Sequence, residues 1–385
     1  MDNTLHKNNL NVERFDSEVV IASPGRINLI GEHLDYNGGT VLPAAIDLKV
    51  KLHFKKTAGN TCRIHSKNLN ESLDFKLERI EISETEWHNY FLGVIHFIEQ
   101  LRPNTIFGFD CIVESNLPIG SGVSSSAALE CGIATGLNEL FDIGLNEMDI
   151  ITISRDAEHH FVGTKCGIMD QFTVVKGRKD KLIQLNCKDL SFDYIPAQLS
   201  PYTVVLLNSN VSHNLATSEY NLRRQECEAG LNLIQRKHPL YESLAEIPLN
   251  IVEQFQPFLP ASTYKRIKYV VQEQARTLAA SVALKEGHLN AFGAYLFESH
   301  FGLRDLYEVS CAELDFLVDL AKEQKGVIGS RMMGGGFGGC TINLVHETVQ
   351  EGFIESTSRE YFQRFKINLT PHRVSIGDGV KQIQN

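Results

Sequence analysis

Leu117-Pro118-Ile119-Gly120-Ser121-Gly122-Val123-Ser124-Ser125-Ser126-Ala127-Ala128-Leu129 lies between two runs of different period. Upstream, Phe109, Cys111 and Val113 alternate with more polar neighbours, the pattern of a strand. Downstream, Ala127 to Phe141 holds good helix formers, with Ala128, Leu137, Leu140 and Phe141 near a helical period. The stretch is therefore a strand-to-helix loop. Gly120 and Gly122 lack a Cβ, which suits a tight turn or a ligand pressed against backbone. The three serines supply hydroxyls where a helix's first N–H groups are unpaired, and such an end attracts anions. No Gly-Lys-Ser/Thr follows the glycines, so this is not a Walker loop, and no third glycine completes a dinucleotide fingerprint. By itself the loop reads equally well as a capped helix after a Gly-Ser turn.

The chain has 385 residues, enough for two domains with real cores. Hydrophobic residues make up 43% and charged residues 22%, ordinary for a soluble globular protein. A net charge of -10 argues against a broad polyanion-binding face, so nucleic acid is not the expected partner. One focused phosphate site stays compatible with that charge. The eight cysteines are scattered without a Cys-x-x-Cys pair, which argues against a zinc site or disulfide framework and for a reducing compartment. Met1 to Arg14 is polar and carries no secretory signal, and no run approaches a membrane span. The expectation is a cytoplasmic protein with no membrane partner.

Along the chain, Val19 to Ala22 is a short apolar run broken by Ser23-Pro24-Gly25. Arg26 to Gly39 is dense in glycine, charge and amide, and reads as a buried polar loop with a turn at Asn37-Gly38. Leu48 to Phe54 and Cys62 to His65 read as strands joined by a hairpin turn at Gly59-Asn60. Glu86 to Leu101 reads as a helix burying Phe91, Val94, Ile95 and Ile98, with Trp87 packing at its start. Asn146 and Asp149 resemble a capping box for a helix to about Phe161, which places Glu158 in the last turn. A carboxylate there opposes the helix dipole unless a cation pairs with it. Gly163 to Gln171 reads as a loop. Lys181 to Asn186 and Thr203 to Leu207 read as strands, with Pro196 and Pro201 marking a domain boundary. Helices follow over Ser218 to Lys237, Tyr264 to Glu286, Leu289 to Phe301 and Cys311 to Glu323. Gly334-Gly335-Gly336-Phe337-Gly338-Gly339 is a loop whose backbone can approach something closely, and it leads into a strand over Thr341 to Val345.

Three glycine-bearing polar loops thus stand far apart in sequence, each beside a strand or helix end. Together they resemble the three motifs of the GHMP small-molecule kinases, and within that family the galactokinases. Ser23 to Pro43 is similar to the galactokinase signature almost throughout, Leu117 to Leu129 to the phosphate loop, and Arg331 to Cys340 to the third motif. Cys166 to Gln171 and Ser218 to Arg224 match as well. The resemblance implies an α+β protein: an N-terminal mixed α/β domain over 1–198, a C-terminal domain with a ferredoxin-like core over 199–385, and an active site in the cleft between. It implies ATP as cosubstrate, Mg²⁺ as cofactor, and transfer to the anomeric C1 hydroxyl of galactose, the opening step of the Leloir pathway, by a monomer.

The resemblance also implies roles. Asp170 matches the family's catalytic carboxylate; an aspartate is ionised at neutral pH and can accept a hydroxyl proton. Arg26 matches its basic partner, which would keep the carboxylate charged and face the moving phosphoryl group. Glu32, His33, Leu34, Asp35, Gly167, Asp170 and Tyr220 match sugar contacts, Leu34 with its side chain packing inward. Gly120, Ser121, Gly122, Val123, Ser124, Ser125 and Ser126 match the ATP loop. Ser126 and Glu158 match the Mg²⁺ positions, which suits an ion that takes few protein oxygens and fills the rest from phosphate and water. Val123 stands in place of leucine, Leu34 and Met333 in place of threonine, and Met333 removes a hydroxyl near the phosphates.

The plainer readings differ. Asp170 alone is a loop carboxylate, Arg26 a salt-bridge residue, Glu158 a solvated helix end and Tyr220 interface packing. His33-x-Asp35 and His159-His160 each lack a third metal ligand at useful spacing. An N-acetylgalactosamine kinase, another sugar-1-kinase, or a non-catalytic sugar sensor would carry the same fold.

Overall fold

The computed structural model describes residues 15–118, 120–212 and 216–384, so the readings of Met1 to Arg14 and of Ile119 lie outside the described residues. The first part of the chain runs β1 (Val19–Asn28), β2 (Thr40–Val41), β3 (Pro43–Lys56), β4 (Thr61–Ser66), β5 (Glu71–Lys76), α1 (Glu86–Leu101) and β6 (Phe109–Ser115). Then come α2 (Ser125–Phe141), α3 (Glu147–Ala157), α4 (Met169–Lys176), β7 (Lys181–Asn186) and β8 (Phe192–Pro196). The second part runs β9 (Tyr202–Ser212), α5 (Ala216–Gln235), α6 (Leu249–Phe255), α7 (Ala261–Lys285), α8 (Leu289–Gly302) and α9 (Ala312–Glu323). It ends with β10 (Val327–Met332), β11 (Gly338–His346), α10 (Gln350–Phe365), β12 (Thr370–Val374) and β13 (Lys381–Ile383).

A six-stranded sheet of order β13-β1-β3-β6-β4-β5 carries the first part, with a small β2-β7-β8 sheet beside it. A four-stranded antiparallel sheet, β10-β11-β9-β12, forms the ferredoxin-like core of the second. The last strand, β13, crosses back to pair with β1. Helix α1 buries Phe91, Val94, Ile95 and Ile98 as its period requires, and the Asn146–Asp149 capping box opens α3 in both directions. No helix among the described residues is long and apolar enough to cross a membrane.

Three local expectations are corrected. Ser23-Pro24-Gly25 does not break the first strand: β1 continues to Asn28, and its register against β3 shifts between Pro24 and Arg26. Proline lacks an N–H for the ladder, and a bulge absorbs the loss without ending the strand. The β3–β4 hairpin does not exist, because β6 lies between them, antiparallel to β3 and parallel to β4. Its approach is fixed by Gly108, whose carbonyl accepts from Thr57 N and whose N–H donates to Gly59 O. Gly163 to Gln171 is not wholly loop, since α4 begins at Met169 and sets Asp170 in its first turn.

Candidate active site

The bulge in β1 is where the site begins. It leaves the Arg26 N–H free to bond Val123 O at 3.0 Å, which docks the phosphate loop onto the strand. In that loop Gly120, Gly122 and Ser124 hold φ of +69°, +75° and +56°, so the chain turns through the left-handed region before α2 starts. A Cβ on Gly122 would stand 2.8 Å from the Met333 carbonyl, so the first glycine loop lies directly on the third. Met333 itself is buried in the core, with its side chain away from the cavity lining.

Arg26 and Asp170, 144 positions apart, meet fork to fork: Nε to Oδ1 and Nη2 to Oδ2, each at 2.8 Å. The Ser124 hydroxyl also donates to Asp170 Oδ2, and Arg26 Nη1 donates to Gly122 O. Burial opposes the Arg26 charge, but the Asp170 carboxylate outweighs it and the guanidinium pKa ends above its ordinary value. A paired carboxylate thus stands at the mouth of the phosphate loop, oriented by three donors.

On the opposite side, α3 ends at Ala157 and a wider π turn, Glu158–Val162, follows. Glu158 is therefore 6% exposed rather than a solvated helix end. Burial first, then the Asp170 charge, push its carboxyl up to about 7, while the Ser126 hydroxyl beside it works the other way. Its Oε2 has no hydrogen-bond partner among the described residues. Glu130, one turn along α2 from Ser126, is fully buried, and burial drives its carboxyl well above the usual range.

The sugar signature forms the third wall, and α7 holds it. Gly31 N donates to Glu273 Oε1 at 3.1 Å, Thr40 N to Gln274 Oε1 at 2.7 Å, and Tyr269 OH to Glu32 O at 3.0 Å. Arg331, fully buried, donates from Nη2 to Glu32 Oε1 at 3.0 Å and from Nε to Leu29 O at 2.7 Å. Glu32 also accepts from Gly334 N and Asn28 Nδ2. Burial would raise its pKa, but Arg331 and then Arg26 leave it below the ordinary value. Among the described residues Asp35 has no salt-bridge partner: burial, with Asp170 and Glu32 nearby, pushes it up to about 7. Gly167 packs so tightly on the Asp35 carboxyl that a Cβ would collide with it. Asn221 and Arg224 on α5 bond Lys165, which brings that loop to Tyr220.

Arg26, Glu32, His33, Asp35, Asp170 and Tyr220 line one cavity of about 450 Å³. Gly120, Ser121, Gly122, Ser124, Ser125, Ser126 and Glu158 line the same space. Leu34 and Val123 are buried in the core behind it, and Gly167 acts from behind Asp35. His159 turns away, its Nε2 2.8 Å from Cys166 O. Sequence reasoning gave no role to Glu130, Arg331, Tyr36 or Tyr307. Glu130 and Arg331 carried a usable signal, since each is a charged residue inside or next to a glycine motif; Tyr307 carried none.

An oxyanion-ready glycine loop, a paired carboxylate and a polar pocket, assembled from three glycine motifs, define a small-molecule kinase of the GHMP type. Residues 89–178 match the GHMP kinases N-terminal domain and 280–362 the GHMP kinases C-terminal domain. Residues 11–56 match the galactokinase galactose-binding signature. The chain belongs, within the GHMP kinases, to the galactokinase family. It is 43% identical to the galactokinase of Thermosipho africanus, over 94% of this chain and 99% of that one. With the galactokinase of Clostridium acetobutylicum it shares 39% over 99% of each. The crystal structure of Lactococcus lactis galactokinase complexed with galactose superposes with a TM-score of 0.91, at 32% identity and 96% coverage of both chains. The Methanococcus jannaschii mevalonate kinase, 19% identical with a TM-score of 0.67, shares the fold.

Proposed function

We propose that the chain transfers the γ-phosphoryl group of ATP to the anomeric C1 hydroxyl of galactose, giving galactose 1-phosphate and ADP. The observation that carries this is the Arg26–Asp170–Ser124 cluster, set where the phosphate loop meets the sugar signature. Phosphoryl transfer asks the protein chiefly for an in-line nucleophile and compensation of charge. Asp170 accepts the proton of the sugar hydroxyl as its oxygen attacks, and Arg26 holds Asp170 in place and balances charge between the two substrates. The N–H groups of Gly120 to Ser126 cradle the triphosphate at the start of α2. Glu32, His33, Asp35, Gly167 and Tyr220 shape the sugar pocket, with Leu34 supporting it from the core.

Ser126 and Glu158 fit Mg²⁺: both offer hard oxygens, and the buried, unpartnered Glu158 Oε2 is better matched to a cation than to the protein around it. Bound there, the ion would neutralise phosphate charge. The same reading divides the chain at 198/199, with β13 returning to the first sheet, and has it act as a cytoplasmic monomer.

The test is ADP release by the purified chain with ATP, Mg²⁺ and a panel of hexoses. Galactose should give the highest kcat/KM. Preference for N-acetylgalactosamine would change the substrate, and no turnover with any sugar would leave a sensor.

A further inference from the structure

Glu273 is fully buried in the middle of α7 and does not line the cavity, yet its carboxylate reaches the sugar signature. Oε1 accepts from Gly31 N at 3.1 Å and from the Ser299 hydroxyl of α8 at 2.6 Å. Oε2 accepts from Arg276 Nη1, one turn further along α7. Gly31 is the pivot of the signature. Its φ is +99°, a Cβ there would stand 2.7 Å from Thr40 O, and its carbonyl accepts from Leu34 N to close the turn that carries Glu32 and His33.

The helix grips the signature on both sides of that pivot. Tyr269, one turn before Glu273, donates to Glu32 O at 3.0 Å, and Gln274 accepts from Thr40 N at 2.7 Å. Tyr307 packs its ring on Tyr269, centroids 4.6 Å apart, and its hydroxyl lies 2.8 Å from that of Tyr36. Glu32, His33 and Asp35, which line the cavity, thus hang on a frame whose anchors stand behind the wall. Of these four anchors only Glu273 carries a charge. Burying a carboxylate is costly, and well-packed apolar side chains in such places often give equal or greater stability. Stability alone does not call for an acid here. What an ionised acceptor adds is direction, since it holds an N–H about twice as strongly as a neutral one does.

We propose that Glu273, held by Arg276 and Ser299, is a positioning residue for the sugar site: by fixing the Gly31 amide it sets where Glu32, His33 and Asp35 stand before the sugar arrives. The inference rests on the sugar-kinase reading. The expected effect is one-sided, because Arg26 on β1, Asp170 on α4 and the phosphate loop before α2 are tied by bonds to one another.

Glu273→Gln keeps the volume, weakens the acceptor and leaves Arg276 facing a neutral amide. KM for the sugar should rise about tenfold, the size of one charge-assisted hydrogen bond, with KM for ATP and kcat within about twofold of native. Ser299→Ala, a smaller change that removes one donor to the same oxygen, should raise KM for the sugar about threefold and decides the matter if Glu273→Gln does not fold. A merely structural carboxylate would lower thermal stability and leave both KM values alone. That result, or equal rises in both KM values, overturns the proposal. Amide hydrogen exchange of the ligand-free chain gives a readout without turnover: the amides of 31–35 should exchange about tenfold faster in Glu273→Gln, while those of 121–128 keep the native rate. Unchanged exchange at 31–35 would also overturn it. No turnover by the native chain with any sugar would count against the kinase reading, and exchange would then judge the clamp on Gly31 by itself.

Discussion

Carboxylates on the two sides of the cavity are treated in opposite ways. Toward the signature, Glu32 is matched to Arg331 and Asp170 to Arg26, each by hydrogen bonds of about ideal length. Toward α2 and the π turn, Glu158 and Glu130 are buried as well, and among the described residues neither is hydrogen-bonded to a cationic side chain. A buried carboxylate with a guanidinium stays charged and fixed, whereas one without is driven toward protonation. On the proposed reading, the paired side is prepared in advance to hold a sugar and take its proton, and the unpaired side would be completed by a cation arriving with the nucleotide.

The sharpest way to break this contrast is to remove a built-in cation. Arg331→Met leaves the Glu32 carboxylate buried without its partner, and should cost about 3–5 kcal/mol of stability in a urea melt. A loss below about 1 kcal/mol would mean that Asn28 and Gly334 alone satisfy Glu32. Next in size is Asp170→Asn, which keeps the shape of the pocket and removes the proton acceptor. It should lower kcat by about 100-fold or more while ATP and galactose still bind. Undiminished turnover would end the assignment of Asp170 as base.

These predictions draw on contacts that were only partly legible in the chain. The glycine loops were legible as turns but not as a phosphate site, since the first read equally well as a capped helix after a Gly-Ser turn, whereas the Asn146 capping box was local enough to read directly. The Arg26–Asp170 pair was reached only through family likeness: nothing in local spacing says that residues 144 apart will meet. The strand through Pro24 was missed because a bulge is a tertiary accommodation, set by β3 and the phosphate loop rather than by Ser23-Pro24-Gly25. Tyr307 was invisible for a similar reason. It sits in a π turn whose importance comes from Tyr36, far away in sequence, and no periodicity marks it.

The unpaired side is sharpened by Glu158→Gln. The amide keeps the volume and removes the charge that Mg²⁺ would meet. Half-saturating Mg²⁺ should rise by about tenfold or more, since even the outer partners of metal ligands are worth that much. Direct Mn²⁺ binding to the ATP complex, read by electron paramagnetic resonance, should weaken in parallel. Unchanged metal dependence would return Glu158 to a structural role.

The smallest expected effect tests Asp35, the one signature carboxyl that departs from its side's rule. Its carboxyl is pushed up to about 7 by burial and by Asp170 and Glu32, against about 3.9 in an unfolded chain. Between those values the folded protein holds a proton that the unfolded chain has released. Stability from this group is therefore fully present below about pH 4 and is lost as pH rises through about 7. Asp35→Asn cannot release a proton, so relative to the native protein the variant should gain stability as pH rises from about 5 to about 8. The slope of the difference cannot exceed about 1.4 kcal/mol per pH unit for one proton, and neighbouring charges will share it. Parallel stability curves for the two proteins would mean that Asp35 has found a partner after all, and that the signature side pairs its acids without exception.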